Sequence, residues 1–117
     1  MHSFRFALAG LSYVLRSQRN ATIHLCATVL VVGSGFILKI NRSDWAWLIL
    51  AISLVFAAES FNTAIELLAD RITSEPDALI GRAKDVSAAA VLTASLGAVG
   101  IGLIVFWPYL IATLSHG

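Results

Sequence analysis

The sequence predicts an all-α membrane protein, with an N-terminal amphipathic surface helix and three transmembrane helices in a single domain over residues 1–117. Three observations predict it. The chain is 58% apolar and only 13% charged, whereas a typical soluble domain carries about 25% charged residues. Its mean hydropathy is +0.84. Its uncharged runs approach or exceed the roughly 20 apolar residues that a spanning helix needs.

The same composition narrows the function. A chain this apolar is neither disordered nor an ordinary cytosolic domain. A net charge of +1 gives no global field to attract DNA or acidic substrates, so no nucleic-acid partner is expected. The lone cysteine, Cys26, sits as a buried-type residue in an apolar run, which excludes an internal disulfide framework and a Cys-rich metal site.

Residues 1–19 are read as the surface helix. At 100° per residue, Arg5, Ser12, Arg16 and Arg19 share one stripe beside an apolar stripe of Phe4, Leu8, Leu11 and Leu15. A basic stripe next to an apolar one suits an anionic leaflet. An ordinary packed helix fits the pattern equally well. A signal peptide fits less well, because no small-residue cleavage site precedes a soluble domain.

The first span is assigned to residues 20–38, where Ala21 to Leu38 are 18 residues without a formal charge. The second is assigned to residues 45–70. Trp45 to Ala58 are uncharged, and the helix reaches full length only by accepting Glu59 and Glu66. The third is assigned to residues 86–114, within the 32 uncharged residues from Val86 to Gly117. Residues 71–85, with Pro76 and Gly81, are read as a connecting loop. Arg5, Arg16, Arg19, Arg71, Arg82 and Lys84 fall on one side of the spans, and only Lys39 and Arg42 on the other. Six basic residues against two put the N-terminus and the 71–85 loop in the cytoplasm. Trp45, Trp47, Trp107 and Tyr109 then form an outer aromatic belt. Ala90, Ala94, Ala98 and Gly102, four residues apart, allow close helix approach and point to a homo-oligomer.

The chemistry concentrates in Glu59-Ser-Phe-Asn-Thr-Ala-Ile-Glu-Leu-Leu-Ala-Asp70. Glu59, Asn62, Glu66 and Asp70, spaced 3, 4 and 4, lie within roughly 80° of one another on a helix. A charged carboxylate at the centre of a spanning helix costs about 2.5–3.5 kcal/mol on insertion scales. Two carboxylates and an Asn on one face therefore call for compensation. A divalent cation such as Mg²⁺, which takes hard oxygen ligands, would supply it. An ion-paired stripe against Arg71, Arg82 or Lys84 is the plainer alternative. With the N-terminus inside, Glu59–Asp70, Lys84, Asp85 and Gln18 to Asn20 all converge at the cytoplasmic interface. Such a site can join a cytosolic reagent to a membrane-dissolved one. His24 is expected to make a polar contact inside the bundle rather than bind a metal. No Walker-type phosphate loop, Ser-His-Asp order or His-x-x-x-His spacing occurs in the chain.

Glu59-x-x-Asn62-Thr63-Ala64-Ile65-Glu66-x-x-x-Asp70-Arg71, followed by Ala83-Lys84-Asp85, resembles the prokaryotic diacylglycerol kinase family, the small membrane lipid kinases that include undecaprenol kinase. Ser3-Phe4…Ala7-x-x-Gly10-Leu11 and Arg19-Asn20-x-x-Ile23-His24 extend the resemblance over nearly the whole chain. The second of these stretches looks more like the undecaprenol kinase branch. The resemblance implies a homotrimer with active sites shared between subunits in the bacterial cytoplasmic membrane. It implies transfer of the γ-phosphoryl group of ATP, with Mg²⁺, to the hydroxyl of undecaprenol or diacylglycerol. By position, Glu59 resembles the general base and Glu66 a metal ligand. Asn62 lies beside both and would touch nucleotide and lipid. Asp70, Lys84 and Asp85 resemble nucleotide-site residues. Some members carry a glutamate before span one that joins the metal shell; here that position is Gln18, a weaker neutral ligand. Two other classes remain open on the residues alone: a proton-relay or transport subunit using Glu59 and Glu66, and a non-catalytic membrane oligomer.

Overall fold

A computed structural model describes residues 2–17 and 19–116. All regular structure in it is helical: α1 (His2–Ser17), α2 (Arg19–Leu38), α3 (Arg42–Ile72) and α4 (Ala78–His116). Three helices are long and apolar enough to cross a membrane, over Asn20–Leu38, Arg42–Ile72 and Ala78–Ser115. The molecule is an elongated slab of 59 × 36 × 20 Å.

Local chemistry sets each helix end. At the end of α2, Lys39 takes a positive φ of 55°. Its N–H donates to the Phe36 carbonyl at 3.3 Å, and Ile40 N–H donates to the Gly35 carbonyl at 3.2 Å. These two bonds are a Schellman closure, which satisfies carbonyls the helix leaves unpaired. Asn41 then caps α3. Its backbone is extended, and its side chain accepts from Asp44 N–H at 2.9 Å.

α3 and α4 form an antiparallel pair that carries most of the tertiary contact, with α2 laid across it. At the Asn41 end, Ile40, Leu48 and Val105 are buried together, flanked by Val31, Trp45, Ile101 and Phe106. Tyr109 of α4 donates to Asp44 Oδ2 at 2.7 Å and accepts from Asn41 N–H at 3.1 Å, tying the start of α3 to the end of α4. Gly35 lets α2 approach this cluster. A Cβ there would stand 2.7 Å from the Trp45 ring.

Two readings of the sequence need correction. Residues 71–85 are mostly helical. α3 runs to Ile72, and α4 begins at Ala78, where Asp77 Oδ1 accepts the N–H groups of Leu79 and Ile80 at 3.0 and 3.1 Å. With that cap in place, Gly81 is simply an exposed helical residue, and Arg82, Lys84 and Asp85 ride on the first turns of α4. Cys26, read as buried, is exposed, because only a narrow seam of α2 meets its neighbours. Of the small-residue stripe, Ala90 is exposed, while Ala98 and Gly102 face α2 across a cavity.

Candidate functional site

α3 places four polar side chains along one line, and their burial grades from end to end. Glu59 is the deepest, with only 1% of its surface exposed, and Asn62 is also buried. Glu66 is half-buried and Asp70 exposed. The grading follows from position: Glu59 lies mid-helix under α2, and Asp70 lies one turn from the end of α3, where neighbouring helices no longer cover it.

Neighbouring helices meet this line at three levels. At the deepest, α2 brings His24 Nε2 to 3.2 Å from Glu59 Oε1. Neither Glu59 oxygen has a hydrogen bond among the described residues. The hydroxyls beside Glu59 are committed elsewhere: Thr63 Oγ1 donates to the Glu59 backbone carbonyl at 2.9 Å, and Ser60 Oγ to that of Phe56 at 2.9 Å. At the middle level, Ser87 of α4 donates to Asn62 Oδ1 at 2.7 Å. The same hydroxyl lies 2.9 Å from the Lys84 carbonyl, so its one proton has two acceptors within reach. At the exposed end, Lys84 Nζ pairs with Asp70 Oδ1 at 2.7 Å. Their side chains are 38% and 66% exposed, so the pair is solvent-screened and cheap to break.

The structure thus brings Glu59, Asn62, Asp70 and Lys84 into one track, flanked by Glu66. Asp85 is exposed, one residue past Lys84. Gln18 lies outside the described residues. His24 makes the polar contact expected of it. Ser87 was not singled out in the sequence, although its position three residues after Lys84 puts both on one face of α4.

The donor set can be tested against a divalent cation. Among the described residues, no three His, Cys, Asp or Glu side chains converge as a metal cage. Mg²⁺ does not require one. It is commonly held by one or two carboxylates together with substrate phosphates and water. Glu66, half-buried and without a hydrogen-bond or ion-pair partner among the described residues, fits that role.

Two cavities frame the track. One of about 330 Å³ lies between α2, α3 and α4. It is lined by His24 at one point and otherwise mainly by apolar residues such as Val31, Ala51, Val55 and Val99. The other, about 590 Å³, opens between the ends of α3 and α4 and is lined by Asp70, Lys84 and the 73–77 loop. Along α3, Glu59 falls between Val55, which lines the first, and Asp70, which lines the second.

Comparison with known proteins identifies the family. The sequence model described as prokaryotic diacylglycerol kinase matches residues 5–106. The chain is 35% identical over 108 residues to undecaprenol kinase of Bacillus subtilis, covering 92% of this chain and 88% of that one. It is 35% identical over 113 residues to a diacylglycerol kinase of Synechocystis, covering 96% of this chain and 65% of that enzyme, just under two thirds of its length. It is 40% identical over 83 residues to diacylglycerol kinase of Escherichia coli, covering 71% and 68%. The chain belongs to the prokaryotic diacylglycerol kinase family and is a lipid kinase.

Proposed function

We propose that this lipid kinase transfers the γ-phosphoryl group of ATP to the primary hydroxyl of a membrane lipid alcohol, undecaprenol ahead of diacylglycerol. The single observation that carries this is Glu59: a fully buried carboxylate without a hydrogen bond among the described residues, on the helix that reaches from the apolar cavity to the polar cleft. A buried charge that serves only structure would be paired or replaced by an apolar residue. The preference for undecaprenol is supported by the Bacillus subtilis relative being matched over 88% of its own length, against 65% and 68% for the diacylglycerol kinases of Synechocystis and Escherichia coli. The Escherichia coli relative supports diacylglycerol as the second substrate to test.

In the reaction, the lipid hydroxyl oxygen attacks Pγ. The bond from Pγ to the β,γ-bridging oxygen breaks, ADP leaves, and the hydroxyl proton passes to Glu59. Asn62, with its carbonyl held by Ser87, offers its NH₂ group to the reacting oxygens. Lys84 exchanges Asp70 for phosphate oxygens, a cheap exchange at an exposed pair. Mg²⁺ held by Glu66, with Gln18 as a second ligand, would neutralise phosphate charge. Asp70 and Asp85 border the nucleotide. Catalysis of this kind needs positioning and charge neutralisation more than covalent help.

The reading places Asp70 and Lys84 at the cytoplasmic face of the bacterial inner membrane, supported by the distribution of basic residues. It places α1 on that surface, supported by the exposure of Phe4, Phe6 and Leu8. The chain acts as a homotrimer with active sites shared between subunits. Many large apolar side chains are exposed on all three long helices, more than one subunit covers by itself.

The test is phosphoryl transfer from radiolabelled ATP with Mg²⁺ to undecaprenol and to diacylglycerol in parallel. Wild type should label one lipid, and Glu59→Gln should abolish labelling while still binding nucleotide. A Glu59→Gln protein that turns over normally would remove Glu59 as base.

A further inference from the structure

The base proposed above raises a problem that its own helix does not solve. A carboxylate removed from water must be compensated by hydrogen bonds or an opposite charge. The Glu59 side chain has no hydrogen bond among the described residues, and the nearby hydroxyls of Ser60 and Thr63 are spent on carbonyls of α3. The Asn62 carbonyl faces Ser87. Glu66, two turns along α3, is of like charge. What remains is His24 on α2, with Nε2 at 3.2 Å from Glu59 Oε1.

We propose that His24 is the positioning residue for Glu59: its Nε2–H compensates the buried carboxylate and fixes which oxygen faces the lipid hydroxyl. Three features support this. His24 is the sole titratable group within ion-pair distance of Glu59 among the described residues. It reaches Glu59 from a different helix, so it restrains the carboxylate in a direction α3 cannot. It is also a lining residue of the apolar cavity between α2, α3 and α4, so it stands where a lipid would approach. The terminal side-chain torsion of histidine is broad, so the ring can turn its Nε2–H onto Oε1 at this distance. Which ring nitrogen carries the proton is set by this partner. The inference rests on the proposed role of Glu59, and its test separates the two.

The full-length protein is purified in detergent as wild type, Glu59→Gln, His24→Leu, His24→Gln and His24→Ala. Elution and melting are checked for each. Gln places an amide N–H near the Nε2 position, whereas Leu offers only shape. His24→Leu should lose about 100-fold in kcat with little change in KM for the nucleotide, the scale expected when a reacting group is mispositioned. His24→Gln should retain most of kcat, and added imidazole should restore part of the activity of His24→Ala. A second readout needs no turnover. The infrared bands of the Glu59 carboxyl group, isolated as wild type minus Glu59→Gln, should shift in frequency in His24→Leu, as expected when its hydrogen-bond donor is removed. The inference is overturned by a His24→Leu enzyme within threefold of wild-type kcat, by a folded His24→Gln protein as inactive as Leu, or by an unchanged Glu59 band. If Glu59→Gln is dead while His24→Leu is fully active, this inference fails and the kinase reading stands. If wild type labels no lipid, the kinase reading fails, and the infrared comparison alone decides whether His24 holds Glu59.

Discussion

Lys39 occupies a position that helix geometry usually reserves for glycine. Its φ of 55° lies in the left-handed region, where a Cβ crowds the backbone. Lys39→Gly should keep both closing hydrogen bonds and relieve that crowding. We expect a stabilisation of about 0.5–1 kcal/mol, read as a higher melting temperature in detergent. Glu66 makes the opposite kind of test, because no hydrogen bond or ion pair holds its carboxylate among the described residues. Glu66→Gln should raise the Mg²⁺ concentration needed for half-maximal transfer by roughly 10-fold or more, the scale of a lost metal contact. An unchanged Mg²⁺ titration would remove it from the metal site. At this scale the 3-4-4 spacing made the polar line of α3 legible in the sequence. The partners of that line were not legible. Periodicity says which residues share a face of one helix, but not which face of α2 or α4 meets it, so the Ser87 and His24 contacts needed coordinates.

The helices themselves were legible from charge-free runs, but their ends were not. Charge marks where a helix leaves the hydrocarbon, not where it stops. α3 has 31 residues, about 46 Å at 1.5 Å each, against a hydrocarbon core of about 30 Å. A helix this long has turns to spare beyond the apolar layer, and on the proposed orientation these are its last turns, together with the first turns of α4. They carry Asp70 and Lys84 there on a firm support rather than on a loose loop. At the opposite end, α3 and α4 are joined through the Tyr109 hydroxyl, which serves Asp44 and Asn41 together. Tyr109→Phe removes both bonds and should cost about 1–2 kcal/mol. A lowered melting temperature with near-normal kcat is the expected result, since this junction is remote from Glu59.

As a whole molecule, one subunit is a thin object. Its shortest dimension is 20 Å, and large apolar residues such as Phe36, Ile37, Leu96 and Ile104 are exposed. Lipid can cover these, but lipid does not compensate Glu66. Trimeric assembly is therefore expected to show as a protein mass of about three times 12.5 kDa by light scattering in detergent. A protein mass of one chain, with full activity, would remove subunit sharing from the mechanism. The link between Asp44 and Tyr109 also sets an order of events during synthesis. The two residues are 65 positions apart, so a ribosome must add all of that intervening chain before they can meet. Until then α3 has entered the membrane with its acidic first turn unanchored and its buried glutamate without α4 alongside. A nascent chain halted shortly before Tyr109 should be the preferred prey of membrane proteases, and release of only a few more residues should end that vulnerability.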